Sequence, residues 1–168
     1  QDSIGNLIWS KSFASKSFVT ARAMKVDSAG NVYVTGEFGG VADFDPNDST
    51  KFLMGDTSSK YLVIRTFVCK LDANGEFVWA KSFVEDSSFL RYSNTSTNRG
   101  AVLELDNSGN LIVSGPFQFK TDFDPGSDTF FLNSIFFDSL QPYNAIGSFI
   151  VKLDSKGDFI SALQIPLL

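Results

Sequence analysis

Apolar and polar residues alternate along several short stretches of this chain, which is the pattern of β-strands. In the stretch "NVYVTGEF", alternation places on one face Val32, Val34 and Phe38. The opposite face then carries Tyr33, Thr35 and Glu37. Since apolar side chains occur on both faces, this strand is expected in a sheet that is covered on both sides.

A second stretch, "EFVWAKSF", follows the same pattern. Strict alternation predicts one face with Phe77, Trp79 and Phe83, and an opposite face with Val78 and Ala80. Valine, phenylalanine and tryptophan all favour strands. We therefore expect this stretch to be a strand that also contributes apolar side chains to both faces.

The chain repeats itself, and the repeat sets its organisation. "KVDSAGNVYVTGEF" matches "ELDNSGNLIVSGPF", and "ADFDPNDSTKFL" matches "TDFDPGSDTFFL", both at an offset of 79 residues. "FVCKLDANGEFVWAKSF" matches "FIVKLDSKGDFISALQI" at an offset of 82. Its second half also matches "DSIGNLIWSKSF" near the start of the chain. The repeating unit is therefore about 70 to 80 residues long.

Each unit contains turns of the form D-x-x-G, which start at Asp2, Asp27, Asp72, Asp106 and Asp154. Aspartate is favoured at the first position of a type I turn, where its carboxylate accepts backbone N–H groups. Glycine at the fourth position takes the left-handed conformation that returns the chain antiparallel. One unit is therefore expected to form a four-stranded antiparallel meander, with a DFDP loop between its two hairpins.

The expected fold class is all-β, with two four-stranded antiparallel propeller-like blades plus one extra N-terminal strand, in an incomplete propeller. We assign residues 1–13 to a lone strand of a preceding blade and 14–83 to the first complete blade. Residues 84–168 form the second, which has longer loops. Together these parts form one domain or a fragment of a longer array. The strand from Leu7 to Phe13 should have an exposed pairing edge, or a partner outside the two complete units.

These motifs resemble the SBBP-type repeat of bacterial β-propellers. The resemblance rests on "DSAGNVYVTGEFGGVADFDP" followed by "FVCKLDANGEFVWAKSF", and on the second copy of both, so it covers nearly the whole chain. It implies propeller blades in tandem arrays of large secreted or cell-surface bacterial proteins. It implies no single activity, because propellers host binding, scaffolding and catalysis alike.

The chain departs from that pattern in ways that bear on ring closure. It has two complete units, whereas closed propellers have typically four to eight blades. Ser161 stands where the other copies have Trp9 and Trp79, and the link from Val84 to Gly100 is nine residues longer than the one after Phe13. We therefore expect open edges and faces, which lead to self-association or to docking on a larger host protein that completes the array.

Composition narrows the chemistry of this 168-residue chain. Its net charge of −5 argues against a nucleic-acid partner, and no apolar run approaches the roughly 18 residues that span a bilayer. The absence of histidine excludes His-based triads and HExxH zinc sites. Cys69, the only cysteine, lies in an alternating run and is expected in the core. We assign no catalytic residue and predict that the chain is not an enzyme.

Two aspartate clusters are candidate calcium ligands, and calcium is the only candidate cofactor. They comprise Asp43, Asp45 and Asp48 in "DFDPND", and Asp122, Asp124 and Asp128 in "DFDPGSD". Alternate aspartates beside a proline or glycine turn can wrap a hard cation with oxygen ligands. The alternative, which we favour, is a loop in which aspartate caps backbone N–H groups and proline fixes the turn.

Two variable regions, 84–100 and 133–149, are candidate interaction loops, because recognition usually sits on loops of a rigid scaffold. Aromatic residues and arginine dominate binding hot spots, and here they are Phe89, Arg91, Tyr92, Phe136, Phe137 and Tyr143. The alternative is that the aromatic residues pack the blades together.

The pattern favours a non-catalytic structural or adhesive module of a secreted or cell-surface bacterial protein, acting through protein–protein contacts or self-assembly. The alternative is a ligand-binding module for a glycan or a calcium-bridged partner, which the aspartate clusters and aromatic loops suggest. A carboxylate-based hydrolase or lyase is the least favoured class, since no suggestive pattern is formed by Glu37, Glu76, Glu85 and Glu104.

Overall fold

The structure, a computed structural model, describes residues 4–47, 52–54, 63–86, 98–134 and 146–165. Within these residues the chain is all-β, and every pairing between strands is antiparallel. None of the sheets formed by these residues is closed. The described part contains no helix, and so none that is long and apolar enough to cross a membrane.

The strands of the described residues follow one another as β1 (Ala14–Ser15), β2 (Phe18–Val26), β3 (Val32–Gly39), β4 (Val41–Asp43), β5 (Phe52–Met54), β6 (Ile64–Leu71), β7 (Phe77–Ser82), β8 (Val84–Glu85), β9 (Val102–Leu105), β10 (Leu111–Gln118), β11 (Lys120–Asp122), β12 (Phe131–Asn133), β13 (Ile146–Leu153) and β14 (Phe159–Ile165).

Two four-stranded sheets contain the long strands. The first sheet has the order β2-β3-β6-β7, and the second sheet has the order β9-β10-β13-β14. Neighbouring strands in each sheet follow one another in chain order and pair antiparallel, which confirms the prediction of four-stranded antiparallel sheets. Their arrangement as propeller blades stays a prediction. Two three-stranded sheets, β1-β4-β5 and β8-β11-β12, were not predicted. They branch from the long strands at the position of the DFDP loop in each unit.

The first sheet contributes buried apolar side chains on both of its faces. We call the face that carries Val32, Val34 and Leu71 its leading face, and the face that carries Tyr33 and Val68 its trailing face. The two faces belong to different apolar clusters, which confirms the alternation predicted for β3. The core therefore consists of two layers, one on each side of the first sheet.

The second sheet packs its leading face on the trailing face of the first. Leu103, Leu111 and Val113 are its leading-face residues, and they share one buried cluster with Tyr33 and Val68. The second sheet's trailing face carries Ile112, Ile150 and Leu163, as the strand register shows. Burial of this kind contributes about 25 cal/mol for each Å² of apolar surface removed from water, so the inter-sheet layer is a main source of stability.

A bulge overturns the strict alternation predicted for "EFVWAKSF". Leu71 pairs with Phe77 but Lys70 pairs with Trp79, so Val78 is an extra residue in β7. Phe77 therefore joins the leading-face cluster, whereas Trp79 packs against the trailing-face cluster. The prediction that both lie on one face was wrong because a bulge shifts the side-chain phase by one residue.

The segment from Leu7 to Phe13 was predicted as a strand, and the structure assigns it to no strand. No ladder formed by the described residues includes it. A strand requires a neighbour to take up its backbone N–H and C=O groups, and none of the described strands pairs with this segment. Trp9 and Phe13 nevertheless pack against the leading-face cluster of the first sheet, so these side chains help to hold the segment in place.

Four of the five D-x-x-G turns lie within the described residues, and all four form as predicted. In each, the glycine N–H donates to the aspartate carbonyl oxygen at 3.0 Å. The glycines at 30, 75, 109 and 157 have φ values between 77° and 85°, in the left-handed region. The aspartate Oδ1 accepts two further backbone N–H groups, as Asp106 does from Ser108 and Asn110.

These hydrogen bonds lower the pKa of the turn aspartates. At Asp106 the main cause is the ammonium of Lys152, whose Nζ lies 2.8 Å from Oδ2, and the amide groups of Asn110 add to it. At Asp72 and Asp154 the main cause of the lowered pKa is the backbone N–H of the residue that follows the turn, Glu76 and Asp158 respectively. All three carboxylates are therefore held in the charged form by the folded chain.

A pKa that is lower in the folded state than in the unfolded state, where it is about 3.8, makes stability fall in acid. The turn aspartates stabilise the fold above that value, and their contribution is lost as the pH falls through the folded-state pKa. We expect the thermal midpoint to drop steeply below about pH 4. In Asp106→Asn, which keeps the Oδ1 acceptor but cannot titrate, the drop should be shallower. Melting curves followed by circular dichroism between pH 2 and pH 7 test this, and Lys152→Gln should change the slope in the same direction. An unchanged slope in both variants would contradict it.

Candidate functional site

Two tryptophans donate a hydrogen bond to equivalent turns in the two units. The indole Nε1–H of Trp9 donates to the carbonyl oxygen of Ala73 at 3.0 Å, and that of Trp79 to the carbonyl oxygen of Ser155 at 3.4 Å. Ala73 and Ser155 are each the second residue of a D-x-x-G turn. Each tryptophan therefore contacts the last hairpin turn of the sheet that follows it along the chain.

The glycine of each turn makes room for the indole. A Cβ atom at Gly75 would lie 2.9 Å from the Trp9 ring, and one at Gly157 would lie 3.2 Å from the Trp79 ring. At Gly109, a turn that no tryptophan covers, a Cβ atom would meet nothing within 4 Å. Glycine is therefore required by the backbone conformation at all four described turns, and at Gly75 and Gly157 it also leaves space for a tryptophan ring.

Each tryptophan is followed four residues later by a phenylalanine that enters a cluster of four rings. The first cluster comprises Phe13, Phe38, Phe44 and Phe67. The second cluster comprises Phe83, Phe117, Phe123 and Phe149. The closest ring centroids are 4.5 Å apart in the first and 4.6 Å apart in the second. We call the W-x-x-x-F segment and its contacts the joint, since it attaches one unit to the next.

The phenylalanine of each DFDP loop is one of these rings, Phe44 in the first cluster and Phe123 in the second. Both are fully buried. Edge-to-face and tilted ring pairs are worth about 0.5–1.5 kcal/mol beyond their buried area. The repeat of tryptophan and phenylalanine is visible in the sequence, but the contacts of the tryptophans with the turns and of the phenylalanines with the ring clusters were not predicted. The shared spacing of four residues in "WSKSF" and "WAKSF" was the available signal.

Polar contacts fix the first joint at its outer side. Lys11 Nζ donates to Asn47 Oδ1 at 2.8 Å and lies 3.5 Å from Glu76 Oε1. Asn47 Nδ2 donates in turn to Glu76 Oε2 at 2.7 Å. Exposed pairs of this kind contribute little each, at about 0–1 kcal/mol, so they orient the segment more than they hold it.

Two buried carboxylates lie beside the joints, and both are paired. Glu37 on β3 lies 3.2 Å from Arg99 Nε, without hydrogen-bond geometry, and accepts a hydrogen bond from Arg22. Glu85 on β8 accepts a hydrogen bond from Asn98 Nδ2 at 2.6 Å. Glu37 and Arg99 belong to different units, so this ion pair helps to hold the two four-stranded sheets together.

The leading face of the first sheet stays partly open, although the equivalent face of the second sheet is covered. Met24 and Leu103 occupy equivalent positions in the repeat, but Met24 is 62% exposed and Leu103 is 1% exposed. A groove of about 500 Å³ runs along this face between Trp9 and β2.

The trailing face of the second sheet is open as well. Its exposed apolar side chains include Val102, Leu163 (53% exposed) and Ile165. Ile112 and Ile150 are half-buried there, whereas their counterparts on the first sheet, Tyr33 and Val68, are buried. The described residues thus present apolar sheet faces at both ends of the two-sheet stack.

In the first candidate calcium cluster, one carboxylate oxygen of each described aspartate accepts a backbone N–H of the loop. Asp43 Oδ1 accepts the backbone N–H of Asp45 at 3.0 Å, and Asp45 Oδ1 accepts that of Asn47 at 3.1 Å. Asp48 lies outside the described residues. These bonds are the turn-capping pattern that was the favoured alternative.

The second cluster follows the same pattern. Asp122 Oδ1 accepts the backbone N–H groups of Asp124 and Phe130 at 3.0 and 2.8 Å, and Asp124 Oδ1 accepts that of Gly126 at 2.8 Å. Asp128 is exposed. Across the ranges that the structure describes, no three His, Cys, Asp or Glu residues are grouped to hold a metal ion. Calcium binding remains a prediction for both clusters.

The six candidate interaction residues lie outside the described residues, so their role stays a prediction: Phe89, Arg91, Tyr92, Phe136, Phe137 and Tyr143. Cys69 is fully buried, as expected. Burial, together with the nearby charge of Asp45, raises the pKa of its thiol to about 12. It is therefore a core thiol and not a nucleophile.

Comparisons of the chain with protein-family models, with curated proteins and with solved structures give no match. The SBBP resemblance therefore rests on the motifs of this sequence alone.

Gly157→Ala tests the joint, with Gly109→Ala as its matched control. Both glycines have a positive φ in a D-x-x-G turn, so alanine costs about 1–2 kcal/mol at either position. At Gly157 the new methyl group also meets Trp79, which adds about 1–3 kcal/mol. We expect urea unfolding to show Gly157→Ala as the less stable variant by that difference. Equal losses would mean that the tryptophan contact contributes nothing.

Asp122→Ala and Asp122→Asn separate the capping role from calcium binding. Alanine removes the acceptor for two backbone N–H groups, and we expect it to cost about 1–3 kcal/mol in the presence of EDTA. Asparagine keeps the acceptor oxygen and should retain most of the stability. Thermal melts with EDTA and with added calcium measure this. A large calcium-dependent rise in the wild-type midpoint, lost in both variants, would instead establish a calcium site.

Proposed function

We propose that this chain is a non-catalytic repeat module of β-propeller type, belonging to a secreted or cell-surface bacterial protein, and that it works by packing sheet on sheet with further protein units. The bacterial and extracellular setting follows from the resemblance to SBBP repeats. The propeller-like arrangement is supported by the way the trailing face of one four-stranded sheet lies on the leading face of the next.

The joint is the observation that carries the proposal. It occurs once between the first and second sheets, through Trp79 and Phe83, and once at the leading face of the first sheet, through Trp9 and Phe13. A contact that recurs at equivalent positions of the repeat, here to the second residue of a D-x-x-G turn, is what the stacking of successive units requires. The molecule therefore carries, at its outer face, the same attachment that it uses internally.

The exposed faces support a role in protein–protein contact. Val102 on β9 and Leu163 and Ile165 on β14 are exposed apolar side chains at the two edges of the second sheet's trailing face, where a further unit would lie. Monomeric proteins rarely leave such a sheet face in water. The buried carboxylates Glu37 and Glu85 are both engaged in pairs, which favours a structural role over acid–base chemistry.

Sedimentation velocity over a wide range of concentrations tests the proposal. We expect the wild-type chain to self-associate, and the double variant Leu163→Glu/Ile165→Glu to weaken association by at least about tenfold, because burying charge in an apolar interface is costly. Asn107→Glu adds a charge at an exposed turn position and serves as the control, with association unchanged. The proposal would be contradicted if the wild-type chain stayed monomeric at every concentration, with the same sedimentation behaviour as the double variant.

A further inference from the structure

The groove on the leading face of the first sheet is mostly apolar, although Lys11 and Arg22 also line it. Its walls are formed by Trp9 and Phe13 on one side and by Val19 and Met24 of β2 on the other, over a floor that includes Val32. Its volume is about 500 Å³. That volume is enough for several large apolar side chains. A small polar ligand would not fill the groove with apolar atoms.

The interface between the two four-stranded sheets shows what fills an equivalent groove. Leu103, Leu111 and Val113 on the second sheet occupy the repeat positions of Met24, Val32 and Val34 on the first. Those three residues are fully buried, in a cluster with Tyr33 and Val68 from the first sheet. The open groove is therefore the equivalent surface on the first sheet. No described strand presents to it residues that correspond to Tyr33 and Val68.

A sheet that covered this groove would find its fourth-strand position occupied by a segment of this chain. Trp79 and Phe83 lie on and just after β7, the fourth strand of the first sheet. Trp9 and Phe13 make the same turn and ring contacts one unit earlier. The segment from Leu7 to Phe13 thus occupies the fourth-strand position of a sheet whose first three strands are lacking from the groove. A sheet with four strands of its own would collide with it.

The backbone of this segment is free to pair. In the first sheet, β7 pairs with β6 along Phe67–Leu71, whereas Leu7–Phe13 pairs with no strand among the described residues. Leu7 is 70% exposed, although Phe77, its counterpart on β7, packs against a core cluster. An unpaired extended segment beside an apolar groove is the arrangement that accepts a further strand.

We propose that this groove binds a three-stranded antiparallel sheet from another repeat unit of the same type, and that Leu7–Phe13 becomes the fourth strand of that sheet. The inference rests on the proposed function, since the occupant is a unit of the same kind. The face that enters the groove presents an aromatic or branched apolar pair, as Tyr33 and Val68 do. The intact second sheet of another copy does not fit, because its β14 would stand where Leu7–Phe13 lies.

The sequence offers a direct test, since Asp2–Phe13 matches Asp72–Phe83. Residues 14–71 joined directly to Asp2 of the full chain place β2, β3 and β6 ahead of Leu7–Phe13, with the natural turn restored at the junction. We expect amide exchange of residues 7–13 to slow by at least about tenfold relative to the wild type. Oxidation of Met24 by peroxide, followed by mass spectrometry, should slow in parallel.

A second donor makes the result independent of one fusion. Residues 98–153 joined to Asp2 supply β9, β10 and β13 instead, and should protect the same amides. Met24→Lys should abolish the protection in either fusion, while leaving the melting of the wild-type chain almost unchanged because Met24 is exposed.

The proposal is overturned if neither donor protects residues 7–13, including the case in which the added strands stay unfolded. It is also overturned if the wild-type chain alone shows full protection at high concentration and the fusions add nothing, since the occupant is then a second copy. Both fusions leave the trailing face of the second sheet open. Self-association through that face can therefore succeed or fail independently of this test.

Discussion

The packing of one four-stranded sheet on the next is the interaction on which the rest of this structure depends. Each sheet is too thin to bury both of its apolar faces alone, so its stability is shared with its neighbours. Between the two sheets, Tyr33 and Val68 enter a layer that also contains Leu103 and Val113. The turns, the small sheets and the tryptophan contacts all lie around this layer and fix its register.

Much of the fold could be predicted because the repeat shows the same pattern more than once. Alternation in β3 predicted both of its faces correctly, and the D-x-x-G turns predicted the hairpins, since aspartate and glycine have strong local preferences there. The two small sheets were missed because strands of two or three residues, such as Val41–Asp43, leave no readable period. The bulge at Val78 was missed because alternation assumes one residue for each partner.

The candidate site was harder to predict than the fold. Aspartates in "DFDP" offer the same oxygen atoms to a backbone N–H as to a cation, so a sequence pattern cannot separate the two uses. The structure engages Asp43 and Asp122 with backbone N–H groups of their own loops. It also shows why phenylalanine stands between those aspartates, since Phe44 and Phe123 fill the ring clusters. That role depends on residues far apart in sequence.

The bulge in β7 couples the unfolding of the two core layers. By shifting phase at Val78, one strand places Phe77 in the layer before its sheet and Trp79 in the layer after it. Unfolding of that single strand would therefore open two layers at once. Such a chain behaves as a row of coupled neighbours, in which a unit is strongest in the interior and weakest at an end. Lengthening the row would raise cooperativity without any new kind of contact.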